Sequence, residues 1–193
     1  MIKTTTIIIL LIFLIPCLSF SQYQNLDDNS AFLKKAENLT QEITTMTSDF
    51  VQEKHLSFMS EPIISKGKFK YKVINKIRWE YTHPFNYLLI LNDGKLFIDD
   101  DGNQNKVDLG NNEMFKQIND IITNALTGNV FDDPDQFDYI LEESSDNFRV
   151  NLTPKKKELQ DYISEIKIIL PKNTMLVKEV IMIESAEDYT KLS

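Results

Sequence analysis

The chain has 193 residues, a formal net charge of −8, 42% hydrophobic residues and a single cysteine. An acidic balance of this size argues against nucleic acid as a partner, and one cysteine permits neither a disulfide framework nor a thiolate metal cluster. The length suits one domain whose core needs no staples.

The N-terminus reads as an address. Lys3 supplies a positive charge, residues 7–15 form an unbroken apolar run, and Ser19-Phe20-Ser21 gives the small-x-small pattern of a cleavage site. The run is too short to span a bilayer, which takes about 20 apolar residues. The expectation is a signal peptide over residues 1–21, cleavage after Ser21 and export to the periplasm, leaving residues 22–193 as a single domain. A competing reading lipidates Cys17, with Leu14 three residues before it. Pro16 opposes that reading, because a small residue belongs there and proline restricts the backbone at the scissile bond. Cleavage also removes Lys3 and Cys17, so the charge moves from −8 to −9 and no thiol remains.

After a polar lead, Phe32, Leu33, Ala36, Leu39, Ile43 and Met46 recur at helical spacing, with Ser30 as the expected N-cap. The period changes from Ser48, where Phe50 and Val51 lie among Gln52, Glu53 and Lys54 and predict a strand. Lys66, Lys68, Lys70 and Lys72 then alternate with Phe69, Tyr71 and Val73, the mark of a half-buried strand. Beyond a turn at Asn75, Ile77, Trp79 and Tyr81 fall on one face of the next strand and Lys76, Arg78 and Glu80 on the other. Residues 86–91 are apolar on both faces, Asn92-Asp93-Gly94 makes a hairpin turn, and two short strands follow, ending at Asp99 and Leu109.

Met114, Phe115, Ile118, Ile121, Ile122, Ala125 and Leu126 predict a second helix, capped by Asn112 and Gly128. Strand patterns resume over residues 137–143, 148–152, 163–170 and 175–184, with a last strand from Tyr189. At least nine strands and two helices in this order predict an α+β chain, mainly antiparallel β. The expected architecture is a half-open, unclosed barrel with helices against its concave face.

The chemistry-bearing residues are sparse. His55 and His83 stand in unrelated contexts, and no nucleophile–base pair, Gly-rich phosphate loop or ligand-spaced histidine motif occurs, so neither an enzyme nor a cofactor is expected. Asp99, Asp100, Asp101, Gly102 and Asn103 open like a calcium loop, but Gly110 stands where the closing Glu belongs, so a turn is the expectation and no metal site. Asp132, Asp133 and Asp135 around Pro134 are read the same way. Lys155, Lys156 and Lys157 read as a solvated loop or a contact for an acidic partner or anionic headgroup. The aromatic face of Phe69, Tyr71, Ile77, Trp79 and Tyr81 is equally that of plain core, since any half-buried sheet must bury one face.

An ordered set of segments is more specific. Ser48-Asp49-Phe50-Val51-Gln52-Glu53-Lys54, Gly67-Lys68-Phe69-Lys70-Tyr71, Asn75-Lys76-Ile77-Arg78-Trp79-Glu80-Tyr81 with Pro84, and Asn92-Asp93-Gly94-Lys95 resemble the outer-membrane lipoprotein carrier family, LolA. Leu152-Thr153-Pro154 and residues 184–190 are also similar to its pattern. The resemblance implies a half-open barrel lidded by helices around a cavity for lipoprotein acyl chains. It implies a periplasmic monomer that receives acylated lipoproteins from an inner-membrane ABC release complex and passes them to the outer membrane, where a receptor is present. On that basis Phe50, Phe69, Tyr71, Ile77, Trp79, Tyr81, Leu89 and Leu91 are assigned to the cavity wall and Ile118, Ile122 and Leu126 to the lid. Related scaffolds imply an alternative, a module that binds free lipid or senses envelope stress. Two departures stand out: Val73-Ile74 occupies the place of the family's Arg-Pro, so its lid latch is not carried over, and the chain stops at Ser193, short of a further family strand. A shortened C-terminus is expected to leave an unpaired sheet edge.

Overall fold

Period-2 alternation becomes strand wherever lysine alternates with aromatic or small residues, and the computed structural model, which describes residues 23–73, 76–92, 94–108 and 135–193, is dominated by antiparallel hairpins. In chain order these are β1 (Gln24–Asn25), α1 (Ser30–Glu42), β2 (Thr45–His55), β3 (Ile63–Lys72), β4 (Lys76–His83), β5 (Tyr87–Asn92), β6 (Lys95–Asp100) and β7 (Asn103–Asp108). After residues outside the description come β8 (Phe137–Glu143), β9 (Asn147–Pro154), α2 (Lys157–Gln160), β10 (Glu165–Pro171), β11 (Glu179–Ile183) and β12 (Tyr189–Leu192).

All twelve described strands join one sheet in the order β1-β8-β9-β10-β11-β12-β2-β3-β4-β5-β6-β7. Every strand pair is antiparallel, and among the described residues β1 and β7 do not meet, so the sheet is an open half-barrel. The strand that closes the chain lies inside the sheet. β12 pairs β11 on one side and β2 on the other, and Ser193 exchanges hydrogen bonds with Val51 at 2.8 and 3.0 Å. The expectation of an unpaired edge there is therefore corrected: the chain end is used to join the two halves of the meander.

Register carries one apolar face across the sheet. Phe137 and Leu141 of β8 continue through Val150 and Leu152 of β9 to Ile166 and Ile168 of β10, then to Met182 and Val180 of β11. α1 covers this half with Phe32, which is 2% exposed and meets the Phe148 ring edge-on at 5.1 Å. Leu33, Ala36 and Leu39 pack on the same cluster. Burying such side chains contributes roughly 1.5–3 kcal/mol each.

Several boundaries differ from the sequence expectation. α1 ends at Glu42, and Met46 belongs to β2, opposite Tyr71. Thr44, Thr45 and Thr47 surround that methionine, and their branched side chains favour extended backbone over another helical turn. Asn29, not Ser30, is the N-cap, and the Ser30 N–H donates to Asp28 Oδ1 at 2.9 Å. The strand expected over 175–184 is only Glu179–Ile183, because Met175 turns the chain with φ 58°. The lysine triplet leads into the short α2, and Lys155 pairs with Asp138 at 2.8 Å. The predicted second helix lies outside the described residues, as do the leader, Leu109 and Asp132 to Pro134.

Candidate functional site

The second half of the apolar face is built from β2 to β7, and here the aromatic residues gather. In the ladders Phe69 lies opposite Trp79 and Trp79 opposite Leu89, while Tyr71 lies opposite Ile77 and Ile77 opposite Leu91. Phe50 faces Gly67, which in turn faces Tyr81. All eight wall residues assigned from sequence thus share one face. Phe50, Phe69, Tyr71, Ile77 and Leu91 are buried, and Trp79, Tyr81 and Leu89 pack on them half-buried.

Gly67 explains how Phe50 reaches the centre. A Cβ on Gly67 would overlap the Glu80 carbonyl oxygen and would sit 2.5 Å from Phe50 Cζ. The Phe50 ring therefore occupies the space that a side chain at 67 would take, and the register shift between Lys66 and Gly67 accommodates the approach of β4. From Phe50 the rings continue outward. Trp79 lies 4.9 Å and Tyr81 5.3 Å from Phe50, Phe69 is edge-on to Trp79 at 5.4 Å, and Tyr81 meets Phe85 at 5.6 Å and Tyr87 at 6.3 Å. Such tilted and edge-on pairs are the favourable aromatic geometries.

Polar groups in this wall are few. The Tyr81 hydroxyl donates to Gln52 Oε1 at 2.7 Å, while Trp79 Nε1 is buried and approaches the Tyr81 hydroxyl without a well-formed hydrogen bond. Burial pushes both the Tyr81 and the Tyr71 hydroxyl above the usual phenol range. The side chains of this wall are therefore neutral and mostly apolar.

Other sequence candidates lie away from it. Both carboxylate oxygens of Asp99 are taken by its own turn, from the Gly102 N–H at 2.8 Å and Gln104 Nε2 at 3.0 Å. His55 stacks on Tyr189 at 4.2 Å on the opposite face, and His83 is exposed before Pro84. Among the described residues no group of three His, Cys, Asp or Glu is placed to hold a metal ion. Ile118, Ile122 and Leu126, assigned to the lid, lie outside the described residues.

Sequence reasoning missed Met46, Gly67, Leu96, Ile98, Val107 and Leu192, which extend or shape the same cluster. Leu96 was within reach, since Asn92 pairs with Lys95 and so sets Leu96 directly opposite Leu91. Leu192 was not, because it enters through a pairing between distant strands.

An unclosed antiparallel sheet with one continuous apolar face, half of it covered by α1, defines an open half-barrel. Over residues 41–193 the chain matches the family model of the outer membrane lipoprotein carrier protein LolA, and it belongs to that family. No curated protein matches it. Among solved structures it is similar to a LolA superfamily protein of Nitrosomonas europaea at 10% identity and TM-score 0.44, covering 84% of this chain and 89% of that one. It is similar to a DUF1329 family protein of Desulfovibrio piger at 14% identity and TM-score 0.43, covering 84% and 88%. The MucA/MucB complex of Pseudomonas aeruginosa gives 10% identity and TM-score 0.46, covering 86% of this chain and 55% of that one. These are weak likenesses of fold.

Proposed function

We propose that the protein is a periplasmic carrier that holds lipoprotein acyl chains against the aromatic half of its inner face and moves them from the inner to the outer membrane. The observation that carries this reading is the single apolar surface formed by Phe50, Phe69, Tyr71, Ile77, Trp79, Tyr81, Leu89 and Leu91 in a member of the lipoprotein carrier family. Shielding an acyl chain is worth roughly 0.8 kcal/mol per buried methylene, so such a wall supplies affinity without covalent chemistry. Cargo arrives from an inner-membrane ABC release complex and leaves to an outer-membrane receptor or to the membrane itself. Ile118, Ile122 and Leu126 serve as the lid.

The test is release of a lipoprotein from inner-membrane vesicles carrying the ABC complex and ATP, with the purified mature protein as acceptor. A soluble one-to-one complex with acylated lipoprotein is expected. Free phospholipid as the only extracted ligand, with no lipoprotein released, would replace shuttling by simple lipid binding.

A further inference from the structure

The outer face of β3 and the loop before it combine two features that the internal packing does not use. In the β2–β3 connection Phe58 is 81% exposed and Met59 44%, and at the start of β3 Ile63 and Ile64 are 39% and 38% exposed. This tip is held in shape: the Met59 N–H donates to the Leu56 carbonyl at 2.9 Å, and the Ser57 N–H to Asp188 Oδ1 at 2.6 Å. Exposed apolar side chains on a braced turn differ from core residues that have failed to find cover.

The second feature is charge. Alternation puts Lys66, Lys68, Lys70 and Lys72 on the same outer face as Ile64, all exposed, in a chain of net charge −8. The register sets Lys70 opposite Arg78 and Lys72 opposite Lys76, and like charges directly opposite destabilise a sheet. Neighbouring acids offset little of this. Lys68 alone stands between acids, opposite Asp49 of β2, which it reaches at 3.8 Å, and opposite Glu80 of β4, which is engaged by Arg78 at 3.0 Å; Glu53 of β2 is engaged by Lys191 at 3.4 Å. Glu61 stands on the loop itself. Among the described residues no ion pair holds Lys66, Lys70 or Lys72.

An apolar tip continued by a row of cations about 20 Å long, at roughly 3.3 Å per residue, is complementary to one kind of surface. We propose that this hairpin docks on an anionic bilayer, with Phe58 and Met59 entering the acyl boundary and Lys66, Lys68, Lys70 and Lys72 meeting lipid phosphates. Partner binding by the outer face requires no cargo, so the inference stands apart from the carrier reading. The rim position of Phe85, in ring contact with Tyr81, runs the aromatic wall out toward the same end of the strands.

The experiment is co-sedimentation of the full mature chain, without cargo, with phosphatidylethanolamine–phosphatidylglycerol vesicles and with pure phosphatidylcholine vesicles. Binding to the anionic vesicles is expected to exceed binding to the neutral ones by at least tenfold, and to fall when salt is raised to about 0.5 M. Lys68→Glu/Lys70→Glu is expected to weaken it by on the order of fivefold per lysine, and Phe58→Ser to weaken it in both salts. All three positions are exposed, and unchanged Trp79 emission checks that each variant is folded. Equal binding to both vesicle types, absence of binding, or binding indifferent to these substitutions overturns the proposal. So does capture of the lysine face by an acidic protein while vesicles are ignored. Lipoprotein release that persists after docking is lost leaves the carrier reading intact.

Discussion

Replacing Gly67 with alanine tests the geometry of the aromatic wall at its tightest point. The added methyl group overlaps the Glu80 carbonyl oxygen and lies 2.5 and 2.7 Å from two Phe50 ring atoms. The carbonyl belongs to the β3–β4 ladder and cannot swing aside, so relief requires separating β3 from β4 or turning Phe50 out of place. Overpacking of this kind costs about 1–3 kcal/mol, and loosening Phe50 from Trp79 and Tyr81 adds roughly 0.5–1.5 kcal/mol per ring pair. The expected destabilisation is about 3 kcal/mol, a large share of the roughly 5–15 kcal/mol that holds a domain folded. Urea unfolding measures it, and the sole tryptophan, Trp79, reports from 4.9 Å away from Phe50. A loss under about 0.5 kcal/mol with unaltered Trp79 emission would mean that Phe50 does not fill the space over Gly67.

Leu152, fully buried beneath α1, predicts a loss of about 2–5 kcal/mol on truncation to alanine, read from the same urea transition. Trp79→Phe keeps an aromatic wall and deletes a buried donor that is poorly satisfied, so its stability is expected within about 1 kcal/mol of the parent, whereas Trp79→Ala loses about 3–5 kcal/mol; circular dichroism melts separate the two. Glu142 accepts from Arg149 Nε at 2.6 Å and Asn151 Nδ2 at 2.5 Å, and the Arg149 hydrogen bond holds its carboxyl below the ordinary 4.5. Its folded value is the lower one, so its contribution is complete above the unfolded value and disappears as pH falls through the folded one. Glu142→Gln is expected to cost about 1–2 kcal/mol at neutral pH, and less at a pH below both values, when urea transitions are compared.

Much of the aromatic wall was legible because β3 and β4 are neighbours in sequence and pair from Lys72 with Lys76 onward, so a period of two read along each strand also fixes which residues share a face. Local signals failed where another element decided the outcome. Ile43 and Met46 extend a helical period, yet the threonines around Met46 and its pairing with Tyr71 hold it in β2. The glycine that admits Phe50 has no pattern of its own, since its meaning depends on a ring from another strand. The joining of the two halves of the sheet by β12 brings together residues more than a hundred positions apart, Lys191 with Glu53 and Leu192 with Gln52, and no local period reports that.

On the proposed function, the aromatic half of the inner face carries lipoprotein acyl chains. The most direct measurement of it is mass spectrometry of what the purified protein extracts from inner-membrane vesicles holding the ABC release complex, with and without ATP. ATP-dependent recovery of acylated lipoprotein bound to the protein, lost on Tyr71→Asp within the wall, is the predicted result. Recovery of no acylated species, or of lipoprotein in equal amount from the Tyr71→Asp protein shown to be folded, would contradict it.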